Sequence, residues 1–190
     1  MLLRVDDLTG THAVAAAIAA VARAGDVIVL AGDMGTGKTA FAQGFGRALG
    51  VTEPITSPTF TLVHSYPLSH RLTLHHADIY RLERTSDIDD LALHELAAFN
   101  GIVLVEWGDV AGSALGDHLE VRLNHVDDGD GGDGGDEAGV DEPGQPDEPD
   151  ETAADEFADP GSREIELRAV GPAWAGRWDR ITRSVEPFRC

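Results

Sequence analysis

Gly32-Asp-Met-Gly-Thr-Gly-Lys-Thr39 meets the phosphate-binding loop pattern G-x-x-x-x-G-K-[ST] at every fixed position. Gly32 and Gly37 permit backbone angles that a Cβ would forbid. The loop can then curl so that successive N–H groups of Asp33, Met34, Gly35, Thr36, Gly37, Lys38, Thr39 and Ala40 face a bound anion. In this pattern the lysine, here Lys38, reaches the β- and γ-phosphates, and the Thr39 hydroxyl holds Mg²⁺. The helix that begins at the loop adds its positive dipole end.

The flanks agree with the loop. Asp26-Val-Ile-Val-Leu-Ala31 is a short, apolar, β-branched run that reads as a buried parallel strand. Thr39 to Leu49 reads as a helix stopped by Gly50. Gly44 and Gly46 each weaken that helix by roughly 1 kcal/mol relative to Ala, so its packing must compensate. Upstream, Thr11–Ala24 reads as a largely buried, Ala-rich helix capped by Thr9 or Thr11.

Downstream, 60–66 and 71–77 alternate apolar and polar residues about a four-residue turn, Pro67 to His70, the pattern of a β-hairpin. Ser86 suits the N-cap of a helix running to Phe99, where Asn100-Gly101 stops it. Ile102–Trp107 is a second buried strand. The segments 118–124 and 163–170 alternate strictly and pair as antiparallel edge strands, and 173–185 forms a last helix with Trp174 and Trp178 on one face. The fold class expected is α/β: a three-layer P-loop NTPase fold with a mixed, partly antiparallel sheet. One domain spans 1–190.

The chain has 190 residues and a net charge of −20, but 15 of its 34 acids lie between Asp127 and Asp159, with no Lys or Arg. The remainder carries 19 acids and 14 bases, a net of −5. No basic patch of the kind that holds a nucleic acid backbone is present. The stretch 127–161, rich in Gly, Pro, Asp and Glu, cannot bury enough apolar area to order itself, and reads as a disordered acidic insertion in a hairpin loop. Cys190 is the only cysteine, which excludes an intrachain disulfide and a Cys-based metal site. The start lacks the order of a signal peptide, and no apolar run approaches the ~18 residues of a membrane span. A cytoplasmic protein with no membrane association is expected.

Four segments together, Gly32–Thr39, Ser57-Pro-Thr-Phe-Thr-Leu62, His76-Ala-Asp-Ile-Tyr-Arg-Leu82 and Val105-Glu-Trp107, resemble the TsaE (YjeE) family of bacterial P-loop ATPases. The acidic insertion is extra, and Ala77 stands where the family usually carries an aromatic residue. The resemblance implies ATP and Mg²⁺ as ligands, weak ATPase activity stimulated by partners, and a role in forming threonylcarbamoyladenosine at position 37 of tRNA. The implied partners are TsaB and TsaD, with tRNA reached only indirectly through them.

Glu106 ends a strand expected beside the loop strand, where P-loop proteins place an acid for Mg²⁺; the resemblance makes Glu106 and Thr39 the metal ligands. Lys38, Glu106 and Asp78 are the expected catalytic residues, with Asp78 facing the γ-phosphate to position water or metal. Thr11 approaches the base on the family analogy alone. Thr59 and Thr61 are either switch-like hydroxyls or strand residues, and Trp107 lies beside the nucleotide or in the core. The adjacent His75 and His76 point to opposite faces of a strand and read as structural.

Two other functions compete. Asp109-Val-Ala-Gly112 and Asn124-His-Val-Asp127 approach the GTPase motifs D-x-x-G and N-K-x-D, but only 15 residues separate their starts and His125 replaces the lysine. A small P-loop kinase would need an arginine-rich lid; Arg81 and Arg84 form a close pair, but no Arg-rich lid stands out.

Overall fold

The computed structural model describes residues 1–82, 87–88, 91–126 and 161–190. Seven strands form one sheet: β1 (Leu2–Val5), β2 (Val27–Ala31), β3 (Val63–Pro67), β4 (Thr73–Asp78), β5 (Gly101–Glu106), β6 (His118–His125) and β7 (Arg163–Val170). Their spatial order is β1-β7-β6-β2-β5-β4-β3. β6, β2, β5 and β4 run parallel, while β3, β7 and β1 each join antiparallel. The helices are α1 (Leu8–Ala19), α2 (Lys38–Leu49), α3 (Leu93–Ala98), α4 (Pro172–Ala175) and α5 (Trp178–Ser184).

Side-chain alternation along the central strands builds three layers. Ile28 and Leu30 of β2 face a core completed by Ile18, Phe41, Phe45, Trp174 and Ile181 from the helices. Val27 and Val29 face the other way, into a second core with Ile79, Leu93, Ala97 and Leu115. All five residues of β2 are buried. Burial on both faces is what a parallel strand between helical layers requires, and it holds the loop that follows β2 at the carboxyl edge of the sheet.

Several boundaries differ from the sequence reading, each for a physical reason. α1 starts at Leu8, because Asp7, not Thr9 or Thr11, caps it: its carboxylate accepts from Gly10 N at 2.7 Å. β6 and β7 are interior strands, not edges, since β2 flanks β6 and β1 covers β7. β1 has only four residues, too few to carry a legible alternation. The 60–66 strand begins only at Val63, because Leu62 takes a left-handed φ of 63°. The expected helix from Ser86 to Phe99 is interrupted at Ala92, whose φ is 49°, and continues as α3. The Ser86 cap and, save Gly161, the 127–161 insertion lie outside the described residues.

The expected last helix is split in two around Gly176-Arg177. Arg177 at the break reaches back to the start of the loop strand and forms a two-pronged ion pair with Asp26, both contacts at 2.6 Å. Its guanidinium also lies 4.0 Å over the Trp174 ring. The tail is thereby fastened to the base of β2 through buried, charge-assisted hydrogen bonds.

Candidate nucleotide and metal site

The β2–α2 connection curls back over the carboxyl ends of β2 and β5, and two of its glycines are sterically required. Gly32 has φ 125°, and a methyl there would fall 2.1 Å from the Leu123 carbonyl oxygen. Gly37 has φ 97°, and a methyl there would fall 2.6 Å from Arg163 Nη1. The β6–β7 pair thus presses on the loop from outside, so only a backbone without Cβ can make the turn.

Lys38 opens α2 and folds back into the loop. Its ammonium donates to the Gly32 carbonyl at 2.7 Å and the Asp33 carbonyl at 2.6 Å, and lies 3.7 Å over the Trp107 ring. Burial pushes its pKa down, against the opposing pull of Glu106, Asp109, Asp33 and Asp78. Thr39 donates its hydroxyl to both oxygens of Glu106, at 3.0 and 3.2 Å. Glu106 ends β5 directly beside β2 and is 3% exposed.

Asp78 ends β4, in register with Glu106. It accepts from Ser57 Oγ at 2.7 Å and Thr59 Oγ1 at 3.0 Å through one oxygen, and from Tyr80 N at 2.9 Å through the other. The 57–59 segment is therefore hung on Asp78. Gln43 of α2 steadies the approach to it by donating to the Ile55 carbonyl at 3.0 Å.

These groups face one cleft of about 890 Å³. Of the residues singled out from sequence, it gathers Met34, Gly35, Gly37, Lys38, Thr39, Ala40, Asp78 and Glu106, together with Thr59 and Trp107. Asp33 and Thr36 belong to the loop but not to the cleft lining: Asp33 contributes its carbonyl to Lys38, and Thr36 turns its hydroxyl onto that same carbonyl at 2.9 Å. Thr11 is not brought to the cleft. It is fully buried in α1 with its hydroxyl on the Asp7 carbonyl, and Leu8, one turn earlier, lines the cleft instead. Thr61 is exposed and likewise outside it.

His76 is the residue the sequence reading undervalued. His75 and His76 do point to opposite faces, and His75 meets Ser65 Oγ at 2.8 Å. His76, fully buried, places Nε2 2.9 Å from Glu106 Oε1. No local pattern marks this contact, since it depends on β4 lying beside β5. Ser57, Tyr80, Arg81 and His125 also line the cleft, and only the folded sheet brings them there.

Asp109, the acid of the D-x-x-G match, pairs instead with Arg122 at 3.3 Å. Asn124 lies opposite Glu164 in the β6–β7 ladder. Neither is among the cleft residues.

A mixed sheet between helical layers, with a glycine loop running from a buried strand into a helix beside a strand-end acid, defines a P-loop NTPase fold. Residues 5–131 match the family model described as threonylcarbamoyl adenosine biosynthesis protein TsaE, and the chain belongs to that family. Among curated relatives named tRNA threonylcarbamoyladenosine biosynthesis protein TsaE, that of Bacillus subtilis (strain 168) is 46% identical over 97 residues, covering 51% of this chain and 60% of the relative. That of Nostoc sp. (strain PCC 7120) is 39% identical over 109 residues, covering 56% and 67%. The match thus spans only about 60% of the Bacillus relative's length. The crystal structure of Bacillus subtilis YdiB superposes with a TM-score of 0.62 at 27% identity, over 96% of this chain and 94% of that one. The family acts in threonylcarbamoyladenosine biosynthesis. Among the described residues, no helix is long and apolar enough to cross a membrane.

Proposed function

We propose that this chain binds ATP with Mg²⁺ and hydrolyses it slowly, in support of threonylcarbamoyladenosine formation at position 37 of tRNA. TsaB and TsaD are the partners this reading names, and tRNA is engaged only through them. The observation that carries the nucleotide reading is the contact of Thr39 with both oxygens of Glu106, one residue from a lysine folded into a glycine loop.

A hydroxyl and a carboxylate are hard oxygen donors, the set that suits Mg²⁺. Magnesium bound there would draw charge from the β- and γ-phosphate oxygens. Lys38 would exchange its loop carbonyls for phosphate oxygens, keeping its charge inside the site. The loop N–H groups and the start of α2 would hold the remaining anionic oxygens. His76 keeps Glu106 aimed at Thr39. Asp78, at the neighbouring strand end, would accept a hydrogen bond from the attacking water and orient it.

In hydrolysis the water oxygen bonds to the γ-phosphorus and the bond to the β–γ bridging oxygen breaks. That oxygen leaves on ADP with the electron pair, and the water contributes its hydroxyl to inorganic phosphate and releases a proton to solvent. Turnover by this chain alone would be slow, with ATP hydrolysis resetting the partner complex.

Titration calorimetry with MgATP tests the core of this reading. The wild-type chain should give a saturable heat that Lys38→Ala abolishes; no heat from wild type, or wild-type binding and turnover by Lys38→Ala, would overturn it. A pull-down with TsaB and TsaD, with and without ATP, followed by ATPase measurement on the recovered complex, tests the partners. Fast turnover by the isolated chain would contradict the partner-dependent reading.

A further inference from the structure

Two carboxylates, Asp78 and Glu106, line the cleft, and both are buried. A triphosphate entering beside them needs cations in compensation. Among the described lining residues only two are Lys or Arg: Lys38 and Arg81. Lys38 lies at the floor, held by two loop carbonyls and the Trp107 face. Arg81 lies at the rim and is exposed.

Arg81 is nevertheless not loosely held. Its guanidinium carbon lies 4.6 Å from the centroid of the Phe60 ring. Phe60 itself is 84% exposed, so its ring face is open to the guanidinium. It belongs to the same short segment as Ser57 and Thr59, both of which donate to Asp78. One segment thus grips the strand-end acid with its hydroxyls and presents a ring to the arginine three residues beyond that acid. On the other side, the Tyr80 ring rests 4.7 Å from Trp107, and Trp107 carries Lys38. Tyr80, the residue before Arg81, thus reaches the loop lysine through Trp107.

Stacking engages the flat face of a guanidinium and leaves its N–H edge for hydrogen bonding. That edge suits the equatorial oxygens of a phosphoryl group, over which charge spreads as the bond to the leaving oxygen breaks. We propose that Arg81 is a catalytic residue supplied within this chain, a cation that Phe60 holds at the cleft rim to contact the transferred γ-phosphoryl group in the transition state. The assignment rests on the ATP-hydrolysis reading. Phe60 is a positioning residue in it, acting only through Arg81.

The test uses the full chain with MgATP in single turnover, and calorimetry with MgATP and with MgADP plus aluminium fluoride. Arg81→Ala should lower the hydrolysis rate about 10²–10³-fold and leave MgATP affinity within about threefold of wild type. It should also lose the extra affinity that aluminium fluoride confers on MgADP. Arg81→Lys should recover only part of the rate, since an ammonium cannot fork across two oxygens. Phe60→Leu should slow hydrolysis by roughly tenfold, the range of an exposed cation–π contact plus lost orientation. That loss should vanish in the Arg81→Ala background.

A rate for Arg81→Ala within twofold of wild type would overturn the assignment. So would a loss of MgATP affinity equal to the loss of rate, or a Phe60→Leu effect that persists without Arg81. Absence of MgATP binding by wild type would instead sink the ATPase reading and this assignment together. Arg81 and Phe60 are exposed, so neither truncation removes a core contact.

Discussion

Asp78 and Glu106 are register partners at the ends of adjacent parallel strands, yet their carboxylates are held by different groups. Glu106 meets the P-loop hydroxyl of Thr39 and the ring of His76. Asp78 meets none of these and carries the hydroxyls of Ser57 and Thr59 instead. A β-ladder places two acids side by side, and the side chains around them separate their roles.

The division predicts opposite kinetic signatures. Glu106→Ala removes an oxygen ligand from the proposed metal position. It should weaken Mg²⁺-dependent ATP affinity about 10–100-fold, the range found when groups around a metal site are lost. Asp78→Ala should slow turnover by about 10²-fold while changing affinity far less. Magnesium titrations of ATP binding, run beside single-turnover rates, distinguish the two. An unchanged magnesium titration for Glu106→Ala, or an affinity loss larger than the rate loss for Asp78→Ala, would reverse the roles.

The Asp26–Arg177 pair predicts where stability resides. Both side chains are buried, the contacts are 2.6 Å, and Asp26 also caps the turn before β2 by accepting from Arg23 N at 2.7 Å. Removing one partner strands the other charge away from water, at a cost of about 3–5 kcal/mol. Arg177→Ala and Asp26→Ala should each lower the unfolding free energy by that order in urea titration. The double variant should lose much less than their sum, a coupling of about 2 kcal/mol or more. Additive losses would mean that the pair adds nothing beyond the separate contacts of its members.

How much of this was legible in the sequence follows from what each feature depends on. The Gly32–Thr39 loop, its entering strand and its helix were readable because their signals are local: a fixed spacing of glycines, a β-branched run and a stop at Gly50. Glu106 was readable as a strand-end acid, whereas Asp78 was marked only by the family resemblance, as an acid following the hairpin. The contact of His76 with Glu106 was not, because its partner lies 30 residues away across a strand pair. The split of the last helix was equally hidden: Arg177 looks like any helix residue until Asp26, 151 positions earlier, is set beneath it. β1 and the interior placement of β6 and β7 failed for the same reason, since an edge is a property of the whole sheet.

The two mid-helix glycines of α2 provide the sharpest contest between local propensity and packing. Propensity alone says that Gly44→Ala and Gly46→Ala should each stabilise α2 by about 1 kcal/mol. At Gly44, however, a methyl would fall 2.8 Å from His12 Cα and 3.2 Å from Ala15 Cβ, so α1 itself must move away. At Gly46 the nearest atom, 2.1 Å away, is the terminal Cδ1 of Ile55, which a rotamer change can shift. Gly44→Ala should therefore destabilise by about 1–3 kcal/mol, the cost of overpacking, despite the gain in helix propensity. Gly46→Ala should cost less, because its obstacle is the tip of a flexible side chain rather than a backbone atom. Because α1 supplies Leu8 to the cleft and α2 supplies Lys38 and Thr39, Gly44→Ala should also weaken MgATP binding more than Gly46→Ala does. Urea midpoints and calorimetry on the two variants check both orders, and a Gly44→Ala chain more stable than wild type would show that α1 and α2 can separate without penalty.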